Sequence, residues 1–222
     1  MSDTLKLFVA VPPAPGVAQT LAGAVETLAR RARSQGLPVA WVPPVNYHCT
    51  LAFLGAARPE IVSAVRAQLA TVAAAARGFR WRATRLGAFP SLDRATVLWA
   101  GVEDASGELA RLADATASAM AELGFARDRR AYHPHVTLGR LREPAAVGDL
   151  LLPLAEQVFG ESRCDSAVLY NSSSTSNGYE YRAIVKAPLG TPKSAPERQS
   201  EAVQTAPFDA SHGSDDGWDR TP

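Results

Sequence analysis

Several residue types are scarce in this chain of 222 residues: it has 2 cysteines, 2 methionines and 4 histidines. Cys49 and Cys164 are too few for a disulfide framework and show no metal-type spacing, so a reduced, cytosolic setting is expected. No apolar run approaches the roughly 18 residues of a membrane span. The opening "MSDTLKLFVAVPP" has too short an apolar stretch for a signal peptide. Excess charge of either sign is also missing, the net being +1. Hydrophobic residues make up 46% and charged residues 20%, enough for a sizeable core in one domain or two small lobes that share one.

The charge is unevenly spread. Residues 190–222 carry a net −3, and their sequence, rich in Pro, Ser, Asp and Gln, has no periodic apolar face. Such a segment buries too little surface to offset its ordering entropy, so it reads as a disordered tail with His212 inert inside it. Residues 1–189 carry +4 and read as the folded domain. Five arginines crowd into "ARDRRAYHPHVTLGRLR" (Arg127, Arg129, Arg130, Arg140, Arg142) against Asp128 alone. That density suggests an anionic ligand, the plain alternative being a solvated basic surface.

Along 1–189, periodicity alternates between types. Strands are expected at "LKLFVAV", "YHCTLAFLG", "FRWRATRLGAF", "ATVLWAGV", "AYHPHVTLGRL", "SAVLYNSS" and "GYEYRAIVKAPL". Helices are expected from Val17 to Gly36, from Pro59 through the alanine run, from Ser106 to Gly124, and from Pro144 to about Phe159. The order β-α-β-α-β-β-α-β-α-β-β falls into two halves. It suggests an α+β fold of two lobes related by pseudo-symmetry.

Each half contains the same signature. "HCTLAFLG" begins at His48 and "HPHVTLGR" contains a second His-x-Thr-Leu at His135. With 13 Thr, 22 Leu and 4 His, two such matches arise by chance in roughly 2 of 10,000 chains of this composition, so the pair carries weight that one copy would not. On a strand, residues i and i+2 share a face. His48 therefore projects with Thr50, and His135 with Thr137, while Cys49 and Val136 face the core. Two imidazoles across a cleft suit a displacement needing a general base and a general acid near neutral pH. Threonine hydroxyls donate to phosphoryl oxygens, and Arg140 adds positive charge close by. The pattern needs no metal or other cofactor and offers no carboxylate cage for one.

"HCTLAFLG" and "HPHVTLGR" resemble the paired signatures of the two-histidine (2H) phosphoesterase superfamily. Within it the chain is most similar to the RNA 2′,3′-cyclic phosphodiesterases, also called 2′-5′ RNA ligases. The likeness extends to "WVPPVNYHCTLAFLG", "LGAFPSLDRATVLWAGV" and "GYEYRAIVKAPL", covering about residues 5–189. It implies a bilobal α+β fold with antiparallel sheets lining a central cleft, helices outside and the site between the lobes, His48 and His135 as the acid–base pair, and Thr50, Thr137 and Arg140 as phosphate binders. The implied reaction opens a 2′,3′-cyclic phosphate at an RNA 3′ end to a 2′-phosphomonoester, with the reverse 2′-5′ joining as a companion activity. His48 as acid and His135 as base is the favoured assignment. The expected partner is RNA with cyclic phosphate ends, tRNA fragments among them, bound by a monomer in the cytoplasm and not at a membrane.

Other residues carry weaker expectations. Arg127, Arg129 and Arg130 are candidates for RNA backbone contact. Trp41, Phe89, Trp99, Tyr132 and Tyr179 are candidates for base stacking, with Phe89 and Trp99 more readily placed in the core. Cys49 reads as buried and inert. His133 departs from the pattern beside His135, and the serine-rich "NSSSTSNG" replaces basic residues where RNA contacts are expected. Three alternatives stand beside the main reading: a metal site from His48, His133 and His135; a non-catalytic RNA-binding module; and a 2H enzyme acting on another cyclic nucleotide or a 2′-5′ linkage.

Overall fold

The computed structural model describes residues 4–175 and 178–190. The expected tail beyond Gly190, with His212, lies outside the described residues. The chain starts with β1 (Leu5–Val11) and α1 (Pro15–Ser34). Then come β2 (Val39–Trp41), β3 (Cys49–Ala57) and α2 (Val62–Ala75). They are followed by β4 (Phe79–Phe89), β5 (Ala95–Glu103), α3 (Glu108–Glu122) and β6 (His135–Ala145). The short α4 (Gly148–Leu151), β7 (Val158–Cys164), β8 (Ser166–Thr175) and β9 (Gly178–Pro188) complete the described fold.

All nine strands join one antiparallel sheet in the order β7-β4-β5-β6-β3-β1-β8-β9, with β2 added on β6. The sheet divides into two four-strand halves, β6-β5-β4-β7 and β3-β1-β8-β9. Within each half the ladders are long, but β3 and β6 meet at the single pair Cys49↔Val136. This is the bilobal α+β architecture expected. Two of the helices are exchanged between halves. The helix that follows β1 packs on β7 of the other half, while α3, which follows β5, packs on β3.

The helices form where the apolar spacing demanded them. Along α1, Val17, Leu21, Ala24, Val25, Leu28 and Ala32 are buried at i, i+3 and i+4 intervals. Pro15 starts the helix, and Gly36, at φ +67° just beyond the cap, ends it in a conformation that glycine adopts without a Cβ clash. The expected helix from Pro144 to Phe159 does not form. β6 runs on to Ala145, α4 is one turn long, and Pro153 lies in the 3₁₀ turn that follows it. A proline there removes a backbone donor and blocks helix propagation. The chain then enters β7, a strand the sequence disguised. Phe159 is an extra residue in the ladder between Ala83↔Gly160 and Thr84↔Val158, which interrupts the period of two.

Candidate active site

The two His-x-Thr motifs lie at the seam of the sheet. The one ladder pair between β3 and β6 among the described residues, Cys49↔Val136, is formed by the middle residue of each motif. Both residues are buried, so His48 and Thr50, with His135 and Thr137, stand on the opposite face. The antiparallel sense sets His48 against Thr137 and Thr50 against His135 across the seam. Each imidazole therefore has its own strand's hydroxyl beside it and the other strand's hydroxyl opposite.

The leucine shared by the two motifs has a structural role. In the β1–β3 ladder Ala10 faces Thr50 and Val9 faces Ala52, so Leu51 is an extra residue. In the β5–β6 ladder Trp99 faces Thr137 and Leu98 faces Gly139, so Leu138 is also extra. Both motifs thus end in a β-bulge that reverses the alternation. Strict alternation would turn Arg140 inward with Val136 and Leu138. The bulge instead returns Arg140 to the face that carries His135 and Thr137, where it is exposed. Phe53 takes the matching place after Thr50. It pairs directly with Phe8 on β1 and is 69% exposed.

The two histidines are oriented in the same way. His48 Nδ1 lies 2.7 Å from the carbonyl oxygen of Asn46, and His135 Nδ1 lies 2.7 Å from that of His133. A carbonyl only accepts, so each Nδ1 carries a proton. In the neutral ring Nε2 then bears the lone pair, which leaves it free for proton transfer. Asn46 is itself held, its Nδ2 donating to the Tyr179 carbonyl at 2.6 Å. This bond ties the β8–β9 hairpin to the loop before His48.

The surroundings of the two rings differ. His48 packs against Phe8 (centroids 4.8 Å apart) and edge-on to Tyr181 (5.2 Å), with Tyr170 at 6.3 Å. Burial lowers its pKa from 6.5 to about 4; the Asn46 carbonyl acts in the opposite sense, and the charges of His135 and Arg140 add to the lowering. His135 stands edge-on to Phe89 at 5.0 Å and has Trp99 at 6.4 Å. Its pKa is also lowered, mainly by burial, against the His133 carbonyl and with the charges of His133 and Arg140 adding to it. Arg140 thus acts on both imidazoles. Among the described residues the Arg140 guanidinium has no ion-pair or hydrogen-bond partner, and neither do the hydroxyls of Thr50 and Thr137.

The remaining sequence candidates divide. Arg127 is held by Asp114 and Ser118 on α3, and Arg130 by a two-oxygen contact with Asp128, so neither guanidinium is free. Phe89 and Trp99 are half-buried rather than core, and they form the wall beside His133 and His135. The Trp99 indole lies over Gly87, where an added Cβ would fall 2.2 Å from the ring. Trp41 crosses Gly139 on β6 instead of standing free in the cleft. Tyr179 is exposed on the hairpin, and Ser172, Ser173 and Ser174 pair with Tyr181, Glu180 and Tyr179 along it. His48, His133 and His135 do not assemble a metal-type cluster; among the described residues no three His, Cys, Asp or Glu side chains do. Phe8, Asn46, Phe53, Tyr170 and Tyr181 were not singled out from sequence. Phe53 and Asn46 were within reach, at the bulge-shifted position after Thr50 and at the residue two before the histidine.

Two exchanged α+β halves, each presenting a His-x-Thr pair at a shared seam, form the fold of the two-histidine phosphoesterases. A Thermus thermophilus protein of known structure is 26% identical over 84% of this chain and 99% of its own, with a TM-score of 0.71. The crystal structure of Escherichia coli LigT complexed with 3′-AMP gives a TM-score of 0.64 over 84% of this chain and 99% of that one, at 24% identity. The chain belongs to the LigT-like phosphoesterase family, whose sequence signature matches residues 11–99 and 101–181. Two curated RNA 2′,3′-cyclic phosphodiesterases are similar to it. That of Aeropyrum pernix is 32% identical over 67% of this chain and 85% of its own length, and that of Aquifex aeolicus 31% over 68% and 81%.

Proposed function

We propose that this protein hydrolyses the 2′,3′-cyclic phosphate at the 3′ end of RNA, leaving a 2′-phosphomonoester. The observation that carries the reading is the seam itself: two imidazoles with free Nε2 atoms, two unpartnered threonine hydroxyls and one unpaired guanidinium around a single space. A cyclic phosphodiester has one negative charge and two non-bridging oxygens. Thr50 and Thr137 donate to those oxygens from the two halves, and Arg140 supplies the balancing charge. Phe53 offers a flat apolar surface to a base at one end of the cleft.

Water attacks phosphorus from the side opposite the 3′ oxygen. His135 Nε2 takes the water proton as the P–O bond forms, and His48 Nε2–H gives its proton to the 3′ oxygen as the second P–O bond breaks. The surroundings favour this division. His135 is the less enclosed ring and open to a nucleophilic water, whereas Phe8, Tyr170 and Tyr181 shield His48 around the leaving group. Both histidines are neutral at pH 7 in the empty cleft. The anionic phosphate stabilises the imidazolium, so the proton needed for leaving-group departure is taken up with the substrate. Among RNAs, tRNA fragments ending in a cyclic phosphate fit the cleft's chemistry, and the protein acts as a monomer through its 1–189 domain.

The test is turnover in excess EDTA, run in parallel on a short RNA ending in 2′,3′-cyclic phosphate, a 2′,3′-cyclic mononucleotide and a 2′-5′ dinucleotide. Conversion of the RNA to a 2′-phosphate product is expected to be the most efficient. Preference for the mononucleotide or the dinucleotide would move the substrate class, and zinc-dependent recovery from EDTA would replace the mechanism. His48→Ala and His135→Ala should each lower kcat by about 10²–10⁴ while substrate binding persists.

A further inference from the structure

The two half-sites sit on strands from different halves of the sheet, and one backbone pair joins those strands. Productive geometry for a two-histidine displacement is narrow, and a misplacement of about 1 Å can cost on the order of 100-fold in rate. Something must fix the spacing between Thr50 and His135 more firmly than a single ladder position does. The side chains at the seam supply it.

Tyr132 precedes β6 and reaches across to β3. Its hydroxyl donates to the backbone carbonyl of Thr50 at 3.0 Å and lies 3.6 Å from Cys49 Sγ. A phenol has one proton, and Thr50 receives it, so the thiol donates its S–H to the phenolic oxygen. The backbone of His135 lies close enough to the thiol to act on it. A hydrogen-bonded chain therefore runs Cys49 Sγ–H → Tyr132 Oη–H → O=C Thr50, with the His135 backbone beside the thiol. It ties Tyr132, three residues before one acid–base histidine, to the backbone of the opposite half's phosphate-binding threonine.

The chain is insulated and keeps its protons. Cys49 is fully buried, which pushes its thiol up to about 11, and burial also raises the Tyr132 phenol. Although the tyrosine as a whole is 39% exposed, its hydroxyl is enclosed at the seam, so the residue is anchored and is not a free stacking platform. In such surroundings successive hydrogen bonds polarise one another, and an unpaired member is costly.

We infer that Tyr132, acting through Cys49 and the Thr50 carbonyl, is a positioning residue that sets the separation of the two His-x-Thr half-sites. The inference rests on the acid–base reading of His48 and His135 for its effect on rate, but not for its effect on geometry. Two readouts therefore test it separately.

The first is kinetic, on RNA ending in 2′,3′-cyclic phosphate. Tyr132→Phe keeps the ring and removes the hydroxyl; kcat should fall about tenfold with KM within about twofold, because the binding groups remain and only their mutual placement loosens. Cys49→Ser, which keeps a donor and an acceptor in the chain, should retain most of the turnover, whereas Cys49→Ala should behave like Tyr132→Phe. The second readout needs no substrate. Proton NMR titration of the imidazoles should show His48 moving up from about 4 by about half a pH unit in Tyr132→Phe, as His135 recedes and water enters. Unchanged kcat and unchanged histidine titration in Tyr132→Phe would overturn the inference, as would Cys49→Ser failing as badly as Cys49→Ala. If wild-type protein does not open the cyclic phosphate, the functional proposal fails, and the titration alone decides the positioning role.

Discussion

Enclosure of His48 has a consequence for stability that can be worked through. In the folded chain its pKa is about 4; in the unfolded chain it returns to 6.5. Between these values the unfolded state holds a proton that the folded state does not. Stability from this residue is therefore fully present above pH 6.5, drains as pH falls from 6.5 to about 4, and is flat below that. The whole interval corresponds to about 3 kcal/mol at about 1.36 kcal/mol per tenfold change. At pH 5.5 the loss is about 1 kcal/mol, and at pH 4.5 it is about 3 kcal/mol before screening by water. The ring keeps some contact with cleft water, so about 2 kcal/mol at pH 4.5 is the working expectation.

The assay is urea unfolding followed by tryptophan fluorescence at pH 7.0 and 4.5, for wild type and His48→Asn. Asparagine keeps an N–H that can donate to the Asn46 carbonyl but has no proton to gain. Other acid-sensitive groups, His135 included, contribute to both proteins and largely cancel in the difference of differences. Wild type should lose about 2 kcal/mol more than His48→Asn between the two pH values. Parallel losses in the two proteins would mean that His48 already titrates as an ordinary histidine. The enclosure by Phe8, Tyr170 and Tyr181 would then be wrong, and so would the need for substrate to bring the acid's proton.

Other outcomes follow from the same geometry. Because the phosphate anion stabilises the imidazolium, the high-pH limb of kcat, which reports the acid in the complex, should lie above the corresponding limb of kcat/KM, which reports the free enzyme; coincident limbs in the two pH–rate profiles would count against substrate-coupled protonation. Arg140→Ala should lower kcat/KM about 10–100-fold, and Arg140→Lys should recover part of it, since a point charge replaces some of a fork's contacts; an Arg140→Ala enzyme with wild-type kcat/KM would remove Arg140 from the site. Ending the chain after Gly190 should leave melting temperature and turnover unchanged. Ending it after Leu189 should lower the melting temperature by a few degrees, because the Gly190 N–H satisfies the Ala73 and Ala76 carbonyls at the end of α2. Equal melting temperatures for the two truncations would show that this cap contributes little.

How much of this was legible in the sequence depends on whether a feature is local. The face shared by His48 and Thr50, and by His135 and Thr137, follows from strand alternation over three residues, and the chain obeys it. Arg140 was pointed to by its nearness to the second motif and by family likeness, whereas alternation alone places it wrongly; its position depends on the extra residue at Leu138, and a bulge exists only relative to a partner strand. The same holds for Phe53 behind Leu51, which is why an exposed phenylalanine on the cleft face was not foreseen. β7 escaped for the reverse reason: its bulge at Phe159 broke a period that sequence reading relies on, while the apolar run before it imitated a helix that Pro153 forbids. The difference between the two histidines is less local still. Both motifs read alike, yet Phe8 from β1, Tyr170 from β8 and Tyr181 from β9 gather around one ring, and Phe89 and Trp99 from a single hairpin around the other. A duplicated signature therefore fixes that there are two half-sites. In the proposed mechanism, which half shelters the departing oxygen and which admits water is decided by strands up to 133 residues away from His48 in the chain, and by the seam that holds the halves in register.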